Sequence, residues 1–522
     1  MAEYYAGTTI GPVYAVIQKA RRPREIWMAS YMFSRVAQEM TAHLTGESKA
    51  VFFSPYDPED VGAKLTGAGA YSDRLFYLVQ AKDEEDAKQK AQSALEHAIS
   101  VLADDIAAAH AESGDSKPFD PEGCKAFLGK YIYQLSAVVE KKENGTIPMH
   151  RLTRRLDLLE TYVPFVSCEE KGKSDYLLRY LDSDMLKSSP WIVKHGLKKL
   201  DDFKNLAEFS GGAGRQCGKY IAMVRADGDQ MGKLLGKLSE NGQEAEIQTV
   251  SAFLLQRAAE NVKAVMAYGG MPIYFGGDDM LFIAPLYSKD GTKLLFELIE
   301  ELSAAFDRAY ETLDVKIKGE ERITPALSFG VSVCYYKYPL QMITEAANDA
   351  LFRKAKQTSW SGEKKKKAVQ TILRKHSGQM SGLCLSMWNE PDKPDSSPYS
   401  GLLRILKKDA DSDAVRSLHW KMVEQYEMIA YLLLEKTGVE RKRRLQEWFR
   451  HNFNEWIDAK CPEEGEATFF DDVADFLCAQ AEQLAENTDR KEALRSAMDG
   501  MFRLDEFLQA KVRKDEREER AE

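Results

Sequence analysis

Four aspartates stand directly against apolar runs in this chain. Asp227 and Asp229 close "YIAMVRADGD", and Asp278 and Asp279 interrupt "MPIYFGGDDMLFIAPL" about fifty residues later. Segments with that apolar density read as buried strands. Carboxylates at the ends of such strands are costly unless a cation neutralises them. Whatever fold the chain adopts must supply that cation and leave it room.

At 522 residues the chain exceeds a single core, and roughly one domain per ~150 residues gives three or four. Apolar content of 44% and charged content of 30% fit a soluble globular protein. A net charge of −10 excludes a global basic field toward nucleic acid or an anionic membrane, though not a local one. The seven cysteines form no CxxC pair, so no zinc is expected, and their scatter fits reduced thiols. No signal peptide is apparent. The apolar runs "MLFIAPL" and "MIAYLLL" fall far short of the ~20 residues a membrane span needs. A cytoplasmic, multidomain protein with no membrane partner is expected.

The stretch "TIGPVYAVIQ" reads as a strand, followed by a helix over "REIWMASYMFSRVAQEMTAHL". "AVFFSPY" and "RLFYLVQA" are strand-like, the stretch from Asp83 to about Ser113 is a long helix, and "YIYQLSAVVE" is a strand or a helical turn. That order, β-α-β-β-α-β, is the ferredoxin-like pattern. Residues 141–215 read as mostly helical and end in the Gly-rich "FSGGAGRQCGK". The same order recurs from Lys219, with strands at "YIAMVRAD", the GGDD hairpin and "ALSFGVSVCYY". Beyond about Gly378 the chain reads as largely helical. The fold class is α+β: two ferredoxin-like halves, 1–140 and 216–378, each followed by a mainly helical domain, 141–215 and 379–522.

In this topology the ends of the central strands lie side by side, so Asp227 and the Gly276–Gly277–Asp278–Asp279 tip would converge. Like charges that close need cations. Oxygen-only ligands select Mg²⁺ or Mn²⁺, and two such ions ~4 Å apart suit nucleotidyl transfer, by polarising a phosphoryl group and activating a 3′-hydroxyl. Gly276 and Gly277 let a large ligand approach the backbone. The amides of Gly228, Gln230, Met231 and Gly232 lead into a helix and can cradle a triphosphate, with Lys233 and Lys356 as phosphate cations. The competing reading is a solvent-exposed Gly-Asp turn, which the "DGD" at the end of an earlier strand disfavours. Asp229 alone reads equally well as a turn or helix-capping residue.

At these residues the chain resembles the nucleotidyl-cyclase palm family, which includes the GGDEF diguanylate cyclases. It more closely resembles the large palm-containing subunit of type III CRISPR effector complexes, Cmr branch. The resemblance is carried by "IGPVYAVIQKARRPREIWMASYMFS", "ADGDQMGKLL", "YFGGDDMLFIAPL", "ALSFGVSVCYYKYPL" and "DALFRKAK". It implies two facing palms that bind two nucleotides between them. The second palm would carry the metals on Asp227, Asp278 and Asp279 with the Gly228 backbone, and the first would be degenerate. It implies synthesis of a signalling nucleotide from ATP on target-RNA binding, as cyclic oligoadenylate or as a conjugate of ATP with S-adenosylmethionine. The implied partners are other Cmr-type subunits, guide RNA and target RNA. Two departures stand out. None of the eight histidines precedes an Asp, so no HD-type nuclease is expected, and the family's inter-palm cysteine zinc site is missing.

Weaker features divide more evenly. Lys19, Arg21, Arg22 and Arg24 in "KARRPREIW" read as an RNA-phosphate contact or a solvated turn. Ser30 reads as facing the nucleotide pocket or as helix packing. Lys364–Lys367 and "ERKRRLQEWF" read mainly as solvated charge, and Trp360, Trp448 and Trp456 as core. His195 and His419 are read as ordinary helix residues. The alternative functions are a guide-RNA-binding scaffold with little catalysis, a free-standing diguanylate cyclase and a template-directed polymerase. The intact aspartates oppose the first. Two palms without a sensor domain oppose the second, and the lack of a primer grip opposes the third.

Overall fold

The computed structural model describes residues 2–113, 118–142, 145–162, 177, 181, 190–195, 197, 203–208, 215–361, 366–390, 393–408, 412–459, 468–484, 486 and 489–510. The first half opens with β1 (Ala2–Gly11), α1 (Val13–Lys19) and α2 (Pro23–Ser48). The strand expected at "TIGPVYAVIQ" is therefore displaced. Pairing ends at Pro12, which has no amide to donate, and the apolar Val16 and Ile17 that follow are buried by a helix. Pro23 opens α2 at a position where its missing N–H costs nothing. The half continues with β2 (Val51–Ser54), β3 (Arg74–Ala81), α3 (Glu84–Ser113), α4 (Pro121–Tyr131) and β4 (Tyr133–Glu140). "YIYQLSAVVE" is thus a strand. The sheet order is β2-β3-β1-β4 with antiparallel pairing throughout.

The connecting segment holds α5 (Met149–Glu160) and short helices at Pro190–Lys194 and Phe203–Glu208. The second half repeats the pattern with β5 (Tyr220–Asp229), α6 (Met231–Glu240), α7 (Glu244–Tyr268), β6 (Met271–Gly276), β7 (Asp279–Pro285), α8 (Leu295–Glu311), β8 (Ala326–Tyr335) and α9 (Leu340–Asn348). β9 (Ala368–Arg374) and β10 (Met380–Ser386) then extend the sheet, giving β10-β9-β8-β5-β7-β6. β9 runs parallel to β8 and the other pairs are antiparallel. The sheet therefore runs past residue 378, where helix had been expected to take over. Six helices complete the described chain: α10 (Pro398–Lys407), α11 (Ser412–Glu424), α12 (Tyr426–Leu434), α13 (Gly438–Ala459), α14 (Phe469–Gln483) and α15 (Arg490–Gln509).

Period-2 alternation in the second sheet joins the halves. On β5, Ala222, Val224 and Ala226 face the core shared with α7 and α8, while Ile221 and Met223 pack into the core of the first half. Leu281 and Ile283 of β7 take the same first-half side. A backbone bridge between Gly69 and Tyr274 ties the halves directly. Arg225, Asp227 and Asp279 have the same parity as the residues turned toward the first half.

Candidate active site

The strand register places the acid cluster. Asp227 of β5 pairs with Ser328 of β8, one residue beyond the Ala226–Met280 pair that joins β5 to β7. The β6–β7 hairpin turns at Gly277 and Asp278, and Gly277 takes a φ of +66°, a region that favours glycine. Gly228 stands against the Asp278 side chain and the Met231 side chain, so that any Cβ at 228 would overlap both. The tip of the hairpin and the end of β5 are therefore in contact, as the spacing predicts.

The neighbouring aspartates serve opposite sides. Asp278 turns to Gly228, whose amide hydrogen-bonds to its carboxylate. Burial, with Asp279 and Asp229 adding like charge, pushes Asp278 up to about 7. Asp279 lines a cavity of about 170 Å³ between the halves, together with Ser30, Tyr71, Asp73, Arg225 and Tyr274. Burial raises Asp279 too, against the pull of Arg225, and its Oδ1 has no hydrogen-bond partner among the described residues. Asp229 is 2% exposed and accepts from the Ser328 hydroxyl at 2.6 Å and from the Lys367 amide at 2.9 Å. It anchors the end of β5, while Gln230, at φ +65°, takes the N-cap position of α6.

Lys356 sits on the cluster. Its ammonium contacts the Asp227 carboxylate, donates to the Gly228 carbonyl at 2.9 Å and lies 3.9 Å from Asp229 Oδ1. Burial, with Lys366 and Arg225 nearby, pushes Lys356 down to about 7, while the adjoining carboxylate favours its charged form. In the ligand-free chain this ammonium is a cation of the kind the sequence demanded. It approaches the acids through a π-helical turn, Asp349–Lys354, and a 3₁₀ turn, Ala355–Gln357. Among the described residues no group of three or more acidic, His or Cys side chains closes around a point where a metal would sit. Mg²⁺ does not need one, because it keeps several waters and takes one or two carboxylates plus substrate phosphates. The orphaned oxygen of Asp279 and the raised carboxyl of Asp278 fit such a partial site.

The remaining sequence-derived residues fall around this centre. Lys233 and Gly232 are exposed on the first turn of α6, whereas the Met231 side chain is buried, leaving only its amide for a ligand. Gly276 ends β6 and packs against the Tyr274 ring. Ser30 lines the inter-half cavity, and its hydroxyl has no partner among the described residues. Lys364 and Lys365 lie outside the described residues. Lys366 and Lys367 do not form a solvated run: the Lys367 ammonium pairs with Asp307 at 2.9 Å. In "ERKRRLQEWF", Arg441, Lys442, Arg443 and Arg444 each have a carboxylate partner. Trp360 and Trp448 are core, and the Trp456 side chain lies outside the described residues. His195 accepts from the Gly67 amide at 2.7 Å.

Sequence reasoning passed over two residues of the cavity. Arg225 donates to Asn348 Oδ1 at 2.6 Å, and Asn348 donates to the Tyr14 hydroxyl at 2.9 Å, which links the halves through side chains. Its place two residues before Asp227, on the same strand face, was the available signal. Asp73 immediately precedes β3 much as Asp278 precedes β7, and burial pushes it up to about 6. A long loop rather than a tight hairpin leads into it, so no Gly-Gly signature marks it.

Comparison with known proteins gives the same picture. Residues 220–367 match the family described as Cas10/Cmr2, second palm domain, and residues 5–104 match CRISPR-associated protein Cmr2, N-terminal. The CRISPR system Cmr subunit Cmr2 of Pyrococcus furiosus is 28% identical over 210 residues, covering 34% of this chain and 22% of that protein. Among solved structures, the apo state of a type III-B Cmr-beta complex contains a chain similar in fold, with a TM-score of 0.58 at 13% identity, over 98% of this chain and 82% of that one. The Cmr-beta structure bound to cognate target RNA gives 0.58 at 11% identity, over 97% and 83%. No helix among the described residues is long and apolar enough to cross a membrane.

Proposed function

The chain belongs to the Cas10/Cmr2 family, and from that premise we propose that it is a nucleotidyltransferase of a type III CRISPR effector, making a signalling nucleotide from ATP when target RNA is bound. A ribose hydroxyl attacks the α-phosphorus of ATP, a phosphodiester forms and pyrophosphate leaves. The observation that carries this reading is the contact of Gly228 with Asp278, with Asp279 opening into a cavity between the two halves. Asp227, Asp278, Asp279 and the Gly228 carbonyl would hold Mg²⁺ or Mn²⁺, which supplies phosphate polarisation and a more acidic attacking hydroxyl. The amides of Gln230 to Lys233 at the start of α6 orient the triphosphate, with Gly276 and Gly277 leaving it room. Lys356 then leaves the acids and turns to phosphate. Ser30, on the first-half side, donates to the acceptor nucleotide. The divisions 1–140, 141–215, 216–378 and 379–522, with their palm and helical roles, belong to this reading, as do the Cmr-type partner subunits, guide RNA and a cytoplasmic setting.

Two acceptors suit the reaction: a second ATP, leading to cyclic oligoadenylate, and S-adenosylmethionine, leading to a conjugate. Asp73 favours the second. It lines the same cavity as Asp279, and in this reading a second carboxyl there, set against the one Arg225 cation, would attract a sulfonium or ammonium and repel a further polyphosphate.

The test is to incubate the assembled complex with guide, target RNA, Mg²⁺ or Mn²⁺ and labelled ATP, with and without S-adenosylmethionine and GTP, and to identify products by mass spectrometry. ATP consumption only with target RNA is expected, lost in Asp278→Ala/Asp279→Ala while RNA binding survives. Product from GTP alone without RNA would favour a diguanylate cyclase. Absence of turnover under every condition would leave a guide-RNA scaffold.

A further inference from the structure

A second, larger concavity lies at the opposite end of the second sheet. It is a groove of about 930 Å³ with one wall from the α1–α2 junction and the other from the corner between β8 and α9. Lys19 and Arg21 stand on the first wall, and Tyr336, Lys337, Tyr338 and Gln341 on the second. Among the described residues none that lines it is acidic, although the chain as a whole carries a net charge of −10. The aromatic rings are held in place. The Tyr338 hydroxyl accepts from Arg374, whose guanidinium lies 4.8 Å from the Tyr338 ring centroid. Tyr336 packs on Tyr335 with centroids 4.7 Å apart, and the Lys337 ammonium lies 5.7 Å from the Tyr336 ring. Lys19, Arg21 and Lys337 are exposed, and Tyr336 and Tyr338 are half-buried.

We propose that this groove binds a single-stranded polynucleotide, its phosphates on Lys19, Arg21 and Lys337 and its bases on Tyr336 and Tyr338. Positive charge tracking a backbone, interleaved with rigid aromatic faces, is the chemistry of strand binding without sequence preference. An acidic protein segment would use the cations but leave the rings idle.

The groove is also wired to the acid cluster. Along β8, Tyr335 pairs with Tyr220 and Ser328 with Asp227, so the two sites stand about 24 Å apart at ~3.4 Å per residue. Two helices run from the groove to the inter-half cavity. α1 places Lys19 in the groove and Tyr14 in the inter-half cavity, and α9 places Gln341 in the groove and Thr344 in the cavity. At the far end of α9, Asn348 bonds both Tyr14 and Arg225, the cation beside Asp279. A strand seated between the two walls sets the spacing of α1 and α9, and with it the position of Arg225. This coupling rests on the nucleotidyltransferase reading, whereas the binding does not.

The experiment has two arms. In the first, the purified full chain is titrated with fluorescent 12-nucleotide RNA and DNA single strands and with the RNA duplex, over a range of salt. Lys19→Glu/Arg21→Glu/Lys337→Glu is expected to weaken single-strand binding at least tenfold and to lower the log–log salt slope by about two, three phosphate contacts at ~0.7 each. Tyr336→Ala is expected to lose about tenfold, and Tyr336→Phe to keep wild-type affinity. RNA tighter than DNA would assign the groove to RNA, and equal affinity to either strand. Unchanged affinity and slope in the charge-reversal variant, or a poly-glutamate peptide that displaces RNA as well as RNA itself does, would overturn the proposal. In the second arm, the assembled complex carrying the same reversals is expected to lose RNA-stimulated ATP turnover. Retained turnover in a variant that has lost strand binding would refute the coupling. A wild-type complex that consumes no ATP would refute the catalytic reading and leave the first arm standing.

Discussion

Lys356 and Asp227 form an ion pair at the centre of the acid cluster, with the same ammonium bonded to the Gly228 carbonyl at 2.9 Å. On the proposed function, lysine and a divalent ion would compete for one carboxylate. In Lys356→Met the ligand-free chain should lose stability, of the order of 3 kcal/mol, because a largely buried carboxylate is left without its partner. Mn²⁺ should restore more of the thermal midpoint than it does in wild type, and at a severalfold lower concentration. Midpoints measured against Mn²⁺ concentration read both effects. An identical metal response in the two proteins would separate Lys356 from the metal position.

Gly228 tolerates no side chain, since a Cβ would overlap both the Asp278 carboxylate and Met231. Gly228→Ala should displace Asp278, reduce ATP consumption by more than a hundredfold and cost about 1–3 kcal/mol of stability. Gly236 in α6 has open space around it. Gly236→Ala should therefore keep full activity and stabilise by roughly 0.5–1 kcal/mol. Equal activity in the two variants would detach the Gly228–Asp278 contact from the chemistry.

What the sequence made legible follows the strength of its local signals. Both β-α-β-β-α-β halves could be read because their strands alternate with period 2 and end in Gly, Pro or Asp. The convergence of Asp227 on Asp278 follows from that topology. The partners of the cluster were harder to see. Lys356 reaches it through a π-helical turn, and Asp73 sits after a loop with no hairpin signature. β9 and β10 did carry a signal, alternating residues around the Ser377–Gly378 turn with Gly378 at φ +85°. It was outweighed by the helical pattern that follows. The first strand was misplaced because Pro12 divides one apolar run between a strand and a helix.

Ser328 ties the end of β5 to the start of β9. Its hydroxyl donates to Asp229 at 2.6 Å and accepts the Ala368 amide at 3.2 Å. In Ser328→Ala, Asp229 keeps the Lys367 amide, while the Ala368 amide is buried without its acceptor. The expected cost is about 1–3 kcal/mol, with faster hydrogen exchange at Ala368 than at neighbouring strand amides. Unaltered protection at that amide would mean the hydroxyl is dispensable for holding β9.

A buried carboxyl of the C-terminal helices sets a pH dependence outside the acid cluster. Asp505 of α15 is 1% exposed, neither of its carboxylate oxygens has a hydrogen-bond partner among the described residues, and burial pushes it up to about 7, Glu506 adding to the rise and the nearby Gln509 side chain opposing it. The folded chain therefore holds a proton there that the unfolded chain, with an ordinary carboxylate near 3.8, releases. Because the folded value is the higher one, the stabilising contribution is fully present below about pH 4 and is lost as pH rises to about 7. Three units correspond to an upper bound of ~4 kcal/mol. Asp505→Asn keeps the shape and cannot ionise. Its thermal midpoint should fall less than that of wild type between pH 4.5 and pH 7.5, a window of roughly those two titrations. Parallel midpoint curves for the two proteins across that range would show that Asp505 ionises in the folded chain as readily as in the unfolded one.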